Sequence, residues 1–184
     1  MTTVEWPEWQ VTKLDAARRQ LQTAIQLLFS QGDGVSTHTL AHASFGILKD
    51  VAKHRGRTRI SDAGNELAGN GQKDFWSRFN RTGNFFKHAD KDPDGFLEGL
   101  SEEENEALIS LAIEIYCDMG CIATPEIDAF KLWWRCIHFC EIENVTEPFI
   151  SWIEKNYSRL HAESRSELLT LGNELLTLVR DSET

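Results

Sequence analysis

Arg81, Asn84 and His88 stand three and four residues apart in the string RTGNFFKH. On a helix turning about 100° per residue, their side chains fall within about 60° of one another. Phe75, Phe79 and Phe86 make a second stripe about 140° away on the same wheel, so the polar face is clear of the apolar one. Arginine offers a planar fork of donors suited to phosphate oxygens. Histidine exchanges a proton near neutral pH, and an asparagine amide can orient either partner. The three form a candidate catalytic or phosphate-holding set. The alternative is the ordinary polar face that keeps an amphipathic helix soluble.

The chain then runs through Asp90, Asp92, Pro93, Asp94 and Gly95 to Glu98. Acids at alternate positions, then glycine, then glutamate match the first half of a calcium loop. Ser101 stands where such a loop needs its closing bidentate glutamate. A Pro-Asp-Gly turn accounts for the same residues. Calcium held by Asp90, Asp92, Asp94 and Glu98 is therefore an alternative that lacks its last ligand.

Upstream, His38, His42, Lys49 and Lys53 share a face on a helical wheel, opposite Leu40, Ile47 and Val51. That stripe reads as a polar track able to follow an RNA backbone. His38 and His42 also have metal-ligand spacing, but the glutamate of HExxH is missing and two lysines on the face would repel a cation. Cys117/Cys121 and Cys136/Cys140 are two CxxxC pairs. They fit either a thiolate zinc site or small core residues on apolar helices.

Charge is distributed to match the first set. Residues 49–91 hold ten of the 19 Lys/Arg but only five of the 29 acids, a local +5 in a chain of net charge −10. Arg78 and Lys87 belong to this island and, with Lys49 and Lys53, are candidate phosphate or RNA contacts. An acidic chain with one basic island suits a local anion site better than a general polyanion surface.

The elements that must position these groups are helical. Leu14, Leu21, Ile25 and Leu28 recur at helical spacing. Ser36 or Thr37 is the expected cap of a second helix ending near His54. Residues 55–72, with four glycines, read as a long connection. A third helix is expected over 74–89. Ser101 with Glu104 is a capping-box signature for a fourth helix closed by Gly120, and Pro125 opens a fifth. A short helix after Pro148 and an amphipathic one over 164–180 complete the pattern. Trp6 and Trp9 are candidates to pin the N-terminus to the bundle. The fold class is all-α: an antiparallel four- to five-helix bundle over 1–144 with a C-terminal helical extension over 145–184. The length of 184 residues and the 41% hydrophobic content suit one core built without disulfides. No apolar run is long enough to span a bilayer and MTTVEWPEWQ is not a signal peptide, so the expected compartment is the cytoplasm, with reduced cysteines.

The segments KLDAARRQLQTAIQLLFSQGD and VSTHTLAHASFGILKDVAKHRG resemble the first two helices of HEPN domains (higher eukaryotes and prokaryotes nucleotide-binding). RTGNFFKH is similar to that superfamily's Arg-x(4–6)-His motif, and NFFKHADKDP looks like a string found in a group of uncharacterised bacterial proteins. The resemblance covers roughly residues 11–120. It implies a homodimer that pairs the motif helices and cleaves RNA without metal or other cofactor, through attack of the ribose 2′-hydroxyl. His88 would then be the acid/base, Arg81 would hold the phosphate and Asn84 would position it. Active members often carry a polar residue, commonly Asn, directly after the arginine, where this chain has Thr82. Many members are non-catalytic interaction or scaffold domains, which makes a non-catalytic homodimer the second expectation.

Overall fold

The computed structural model describes residues 10–58, 72–90, 92–138, 145–161 and 164–182, without the side chains of 72–76, 78 and 79. Trp6, Trp9, most of the glycine-rich connection and Cys140 lie outside the described residues. Among those described there are seven helices and no strand: α1 (Lys13–Phe29), α2 (Gly34–His54), α3 (Gln72–Phe85), α4 (Glu102–Asp118), α5 (Pro125–His138), α6 (Phe149–Leu160) and α7 (Arg165–Ser182). The protein is all-α. None of the described helices is long and apolar enough to cross a membrane.

Side-chain caps set most of the starts. Thr12 accepts from the Asp15 amide at the head of α1, and Ser101 accepts from the Glu104 amide at the head of α4. The expected cap of α2 is corrected. Asp33, three residues before Ser36, accepts the Ser36 N–H at 2.7 Å. A carboxylate is the stronger acceptor at the positive end of a helix, so Asp33 is the start signal. Gly120, at φ 73°, ends α4 in the left-handed conformation.

Tertiary hydrogen bonds give the helix directions. α1 and α2 join through residues 30–33 and run antiparallel, tied by Ser44 Oγ donating to the Ala17 carbonyl at 2.9 Å. α4 lies beside α2. His38 meets Asn105 near their starts, and Arg57, just past the end of α2, donates to the Asp118 carbonyl at the end of α4. These two helices are therefore parallel, which departs from the antiparallel arrangement expected throughout. The 55–101 crossover that contains α3 is what permits it.

α5 runs with α1 and against α7. Gln22 and Gln26 of α1 donate to Glu126 of α5, while Phe29 packs edge-on to Trp133 with ring centroids 5.3 Å apart. Trp133 Nε1 donates to the Leu168 carbonyl at 2.7 Å, and Arg180 reaches back to Glu126. Leu169, Leu175, Leu176 and Val179 of α7 sit in the same buried core as Leu21, Phe45, Ile109 and Phe130. The expected boundary at residue 144 is thus not a boundary of the core, because α7 is one of its walls. α6 instead makes a small satellite cluster, with Ile153 and Leu160 against Cys136 and Leu171.

Candidate functional site

α3 ends at Phe85, four residues short of the expected Ala89. Its backbone pattern carries on for one more turn, with Phe86 N–H bonded to the Thr82 carbonyl at 3.2 Å and His88 N–H to the Asn84 carbonyl at 3.1 Å. That turn keeps His88 on the face of Arg81 and Asn84. All three are exposed. All three line one half-open cleft of about 730 Å³, together with Ser77, Asn80, Phe85, Asp90 and Asp92. Arg81 Nη2 donates to the Glu98 carbonyl at 3.2 Å, which braces the guanidinium against the chain leading into α4.

The opposite side of this segment is packed against α2 and α4. Thr82 and Gly83 are buried. Thr82 Oγ1 donates to Glu104 Oε2 at 3.4 Å, so the side chain that follows Arg81 points away from the cleft. It also draws the Glu104 carboxylate to α3, while the Glu104 amide keeps its cap on Ser101. Gly83 lies on the ring of His42: a Cβ at residue 83 would stand 2.3 Å from His42 Cδ2. Lys87 Nζ donates to His42 Nδ1 at 2.8 Å. Phe86 meets the His38 ring edge-on at 5.6 Å.

The two histidines are therefore interior groups. His38 is 2% exposed and His42 9%. This corrects the expected polar face of α2. Its buried side carries His38, Ala41, His42, Phe45 and Leu48, while Leu40, Ile47 and Val51 are only half-buried. Burial pushes the His42 imidazole down to about 4. The charges of Lys87, His38 and Lys49 add to that, and the Asn80 amide offsets part of it. Burial also lowers His38, against the raising influence of Asn105 and Glu104. Both rings are neutral at pH 7.

Their tautomers follow from their partners. An ammonium has only donors, so His42 Nδ1 accepts and its proton is on Nε2. Asn105 uses its amide N–H on the Gly34 carbonyl, so its Oδ1 accepts from His38 Nδ1–H at 2.9 Å and His38 Nε2 is bare. The i, i+4 spacing that suggests a metal pair thus holds a protonated nitrogen, with a lysine cation against the ring. Among the described residues no three His, Cys, Asp or Glu side chains are grouped to hold a metal ion. The acids of the calcium-like segment are accordingly not gathered: Gly95 N–H closes a turn on the Asp92 carbonyl at 2.9 Å, as the Pro-Asp-Gly alternative expects. Cys117 and Cys121 pack on the main core and Cys136 in the satellite cluster, so these three thiols are divided between two packing groups.

Of the other expected contacts, Lys87 is turned onto His42. Lys49 Nζ lies 5.7 Å over the Phe45 ring, Lys53 is exposed on α2, and the Arg78 side chain lies outside the described residues. None of Lys49, Lys53 or Lys87 lines the cleft. The structure gathers Arg81, Asn84 and His88 and leaves these three lysines outside. Asn80 and Ser77 in the cleft, and Gly83 beneath it, went unmarked in the sequence, while His42 was read as part of an outward polar track. A glycine in a helix interior was the available signal, since it often marks a close approach.

No family model, curated protein or solved structure matches the chain.

Proposed function

We propose that the cleft binds single-stranded RNA, with Arg81 and Asn84 on one phosphodiester and His88 as the acid/base of a metal-independent cleavage. The observation that carries this is the opening of all three side chains onto one cleft. The resemblance to HEPN domains supplies the chemistry. An imidazole takes the proton of the ribose 2′-hydroxyl, and that oxygen attacks phosphorus. The 5′-oxygen leaves with a proton from a second, protonated imidazole, giving a 2′,3′-cyclic phosphate and a 5′-hydroxyl. One cleft holds one exposed histidine, so the second imidazole calls for a homodimer. Asp90 and Asp92 on the rim repel further phosphates and can accept from the amino group of an exposed base. The cleft suits one or two nucleotides and not a long backbone track.

Thr82 supports the second expectation, a non-catalytic homodimer of the same fold. Its hydroxyl is committed to Glu104 and cannot supply the polar group that active members often place after the arginine.

One assay separates these. A labelled single-stranded RNA is titrated with protein in EDTA, read by anisotropy and then on a denaturing gel. Arg81→Ala should weaken binding about tenfold, the loss of one charged phosphate contact. His88→Ala should abolish cleavage and leave binding nearly intact. Binding with no cleavage by the wild type selects the non-catalytic homodimer, and no binding at all discards the RNA proposal.

A further inference from the structure

The cleft stands on a polar seat. Beneath Gly83 lies the His42 ring, near enough that no side chain larger than hydrogen fits at residue 83 without movement. Beside it, Lys87 donates to His42 Nδ1. One turn earlier on α2, His38 holds the Phe86 ring on one side and Asn105 of α4 on the other. Both imidazoles of α2 thus touch the 80–88 segment, His42 through Lys87 and His38 through Phe86. We propose that His42, acting through Gly83 and Lys87, is the positioning residue of the cleft, which is assembled on α2 only while that imidazole is uncharged.

The dependence on charge follows from the neighbours. Lys87 can donate to Nδ1 only when Nδ1 carries no proton. A charged His42 would lose that bond and face the Lys87 ammonium, the Lys49 ammonium and the His38 ring. Glu104 acts on His38 and is already engaged by Thr82. Among the described residues, the charged or titratable groups that bear on the His42 ring are Lys87, Lys49 and His38, and none of them is an acid. Undocking of the 80–88 segment would expose the ring and release it from both burial and Lys87.

The direction with pH is fixed by linkage. His42 is near its ordinary value of 6.5 when the segment is undocked and near 4 when it is docked. Docking is therefore at full strength above pH 6.5 and declines as pH falls through that window. At pH 5 the docking equilibrium should be about thirtyfold weaker than at pH 8.

The seat itself is independent of any RNA, and only its consequence for binding rests on the function proposed above. The full-length chain is followed by hydrogen exchange from pH 8 to pH 5, corrected for intrinsic rates. The reporters are the Phe86 and His88 amides, which bond the Thr82 and Asn84 carbonyls. Core amides of α1 serve as the reference. Protection at Phe86 and His88 should fall about thirtyfold by pH 5 while α1 holds. His42→Asn keeps an acceptor near Nδ1 but cannot titrate, so its protection should lose most of its dependence on pH, the remainder belonging to His38, whose imidazole burial also lowers. A flat wild-type profile, or an unchanged slope in His42→Asn, overturns the proposal. If acid loosens α1 as well, the decisive measurement is NMR titration of His42 in Lys87→Met. That variant should raise the histidine's pKa, and an unchanged value overturns the proposal. Exchange that titrates as described in a protein that never binds RNA keeps the seat and discards the RNA function.

Discussion

Gly46, Gly83 and Gly172 are three helical glycines at which the same substitution, to alanine, should have different signs. Helix propensity alone favours alanine at each by about 1 kcal/mol. At Gly46, in α2, a Cβ meets nothing within 4 Å, so Gly46→Ala should stabilise by close to that amount. At Gly172, in α7, the Cβ would stand 2.3 Å from Phe29 Cε1. Phe29 is 1% exposed and wedged against Phe130 and Trp133, so its ring cannot swing away. Ordinary van der Waals contact would demand a shift of about 1 Å, and overpacking of this kind costs about 1–3 kcal/mol. Net of propensity, Gly172→Ala should lose up to about 2 kcal/mol of global stability. Gly83 faces an equally close contact, 2.3 Å to His42 Cδ2. None of the described side chains of its helix belongs to the main core. There the cheaper response is for the 80–88 segment to lift. Gly83→Ala should therefore leave global stability within about 0.5 kcal/mol of wild type while exposing the Phe86 and His88 amides to exchange. Urea titrations followed by circular dichroism give the global values and hydrogen exchange gives the local one. If all three variants move in the same direction, or if Gly83→Ala leaves exchange at residue 86 unchanged, the close approaches do not control docking.

Two other predictions concern the frame around the site. Burial alone would raise the Glu126 carboxyl, but hydrogen bonds from Gln22, Arg180 and Gln26 hold it at about 2. Glu126→Gln should then cost about 3 kcal/mol at pH 7. The difference from wild type should shrink as pH falls from 4.5 toward 2, where the wild-type carboxylate is itself protonated; urea titrations at pH 7 and pH 3 measure it. Ser101→Ala removes the side-chain acceptor of the Glu104 amide and should cost about 1 kcal/mol. It should also weaken the Thr82–Glu104 contact, seen as faster exchange in α3.

The helices that were legible in the sequence are those whose start signals and apolar stripes are local. Ser101, Pro125 and Gly120 act on neighbouring residues, and the leucines of α1 and α7 need only their own helix to be seen. The buried face of α2 was misread because Thr37, His38, His42 and Ser44 count as polar in any periodicity. All four are buried. Three of them find a partner far along the chain: Asn105 is 67 residues from His38, Lys87 is 45 from His42, and the Ala17 carbonyl is 27 from Ser44. A buried polar residue is tolerated only with its partner, and partners at that separation are invisible to a wheel. The cleft triad was legible for the opposite reason, since Arg81, Asn84 and His88 lie within two turns of one helix. The parallel pairing of α2 with α4 was not, because a crossover fixes it and not a pattern.

The place where local rules fail is also the place where the site is held. An apolar stripe would bury α3 on α2 just as well, but apolar contacts are non-directional and tolerate sliding. Lys87 on one ring nitrogen, Gly83 against the ring edge and Asn105 behind the neighbouring ring leave little room to slide or turn. Under the proposed function the three groups converge on one phosphate, and such a set loses much of its effect when misplaced by about 1 Å, so directional contacts are the ones it would need beneath it. Their cost is two imidazoles held neutral in the interior, and with it a sensitivity to acid that an apolar seat would not have. If the His42 face served only to fill space, Lys87 would be free to turn toward solvent and Gly83 to be any good helix former. The observed contacts of both residues argue for registration of the cleft as the role of the pair.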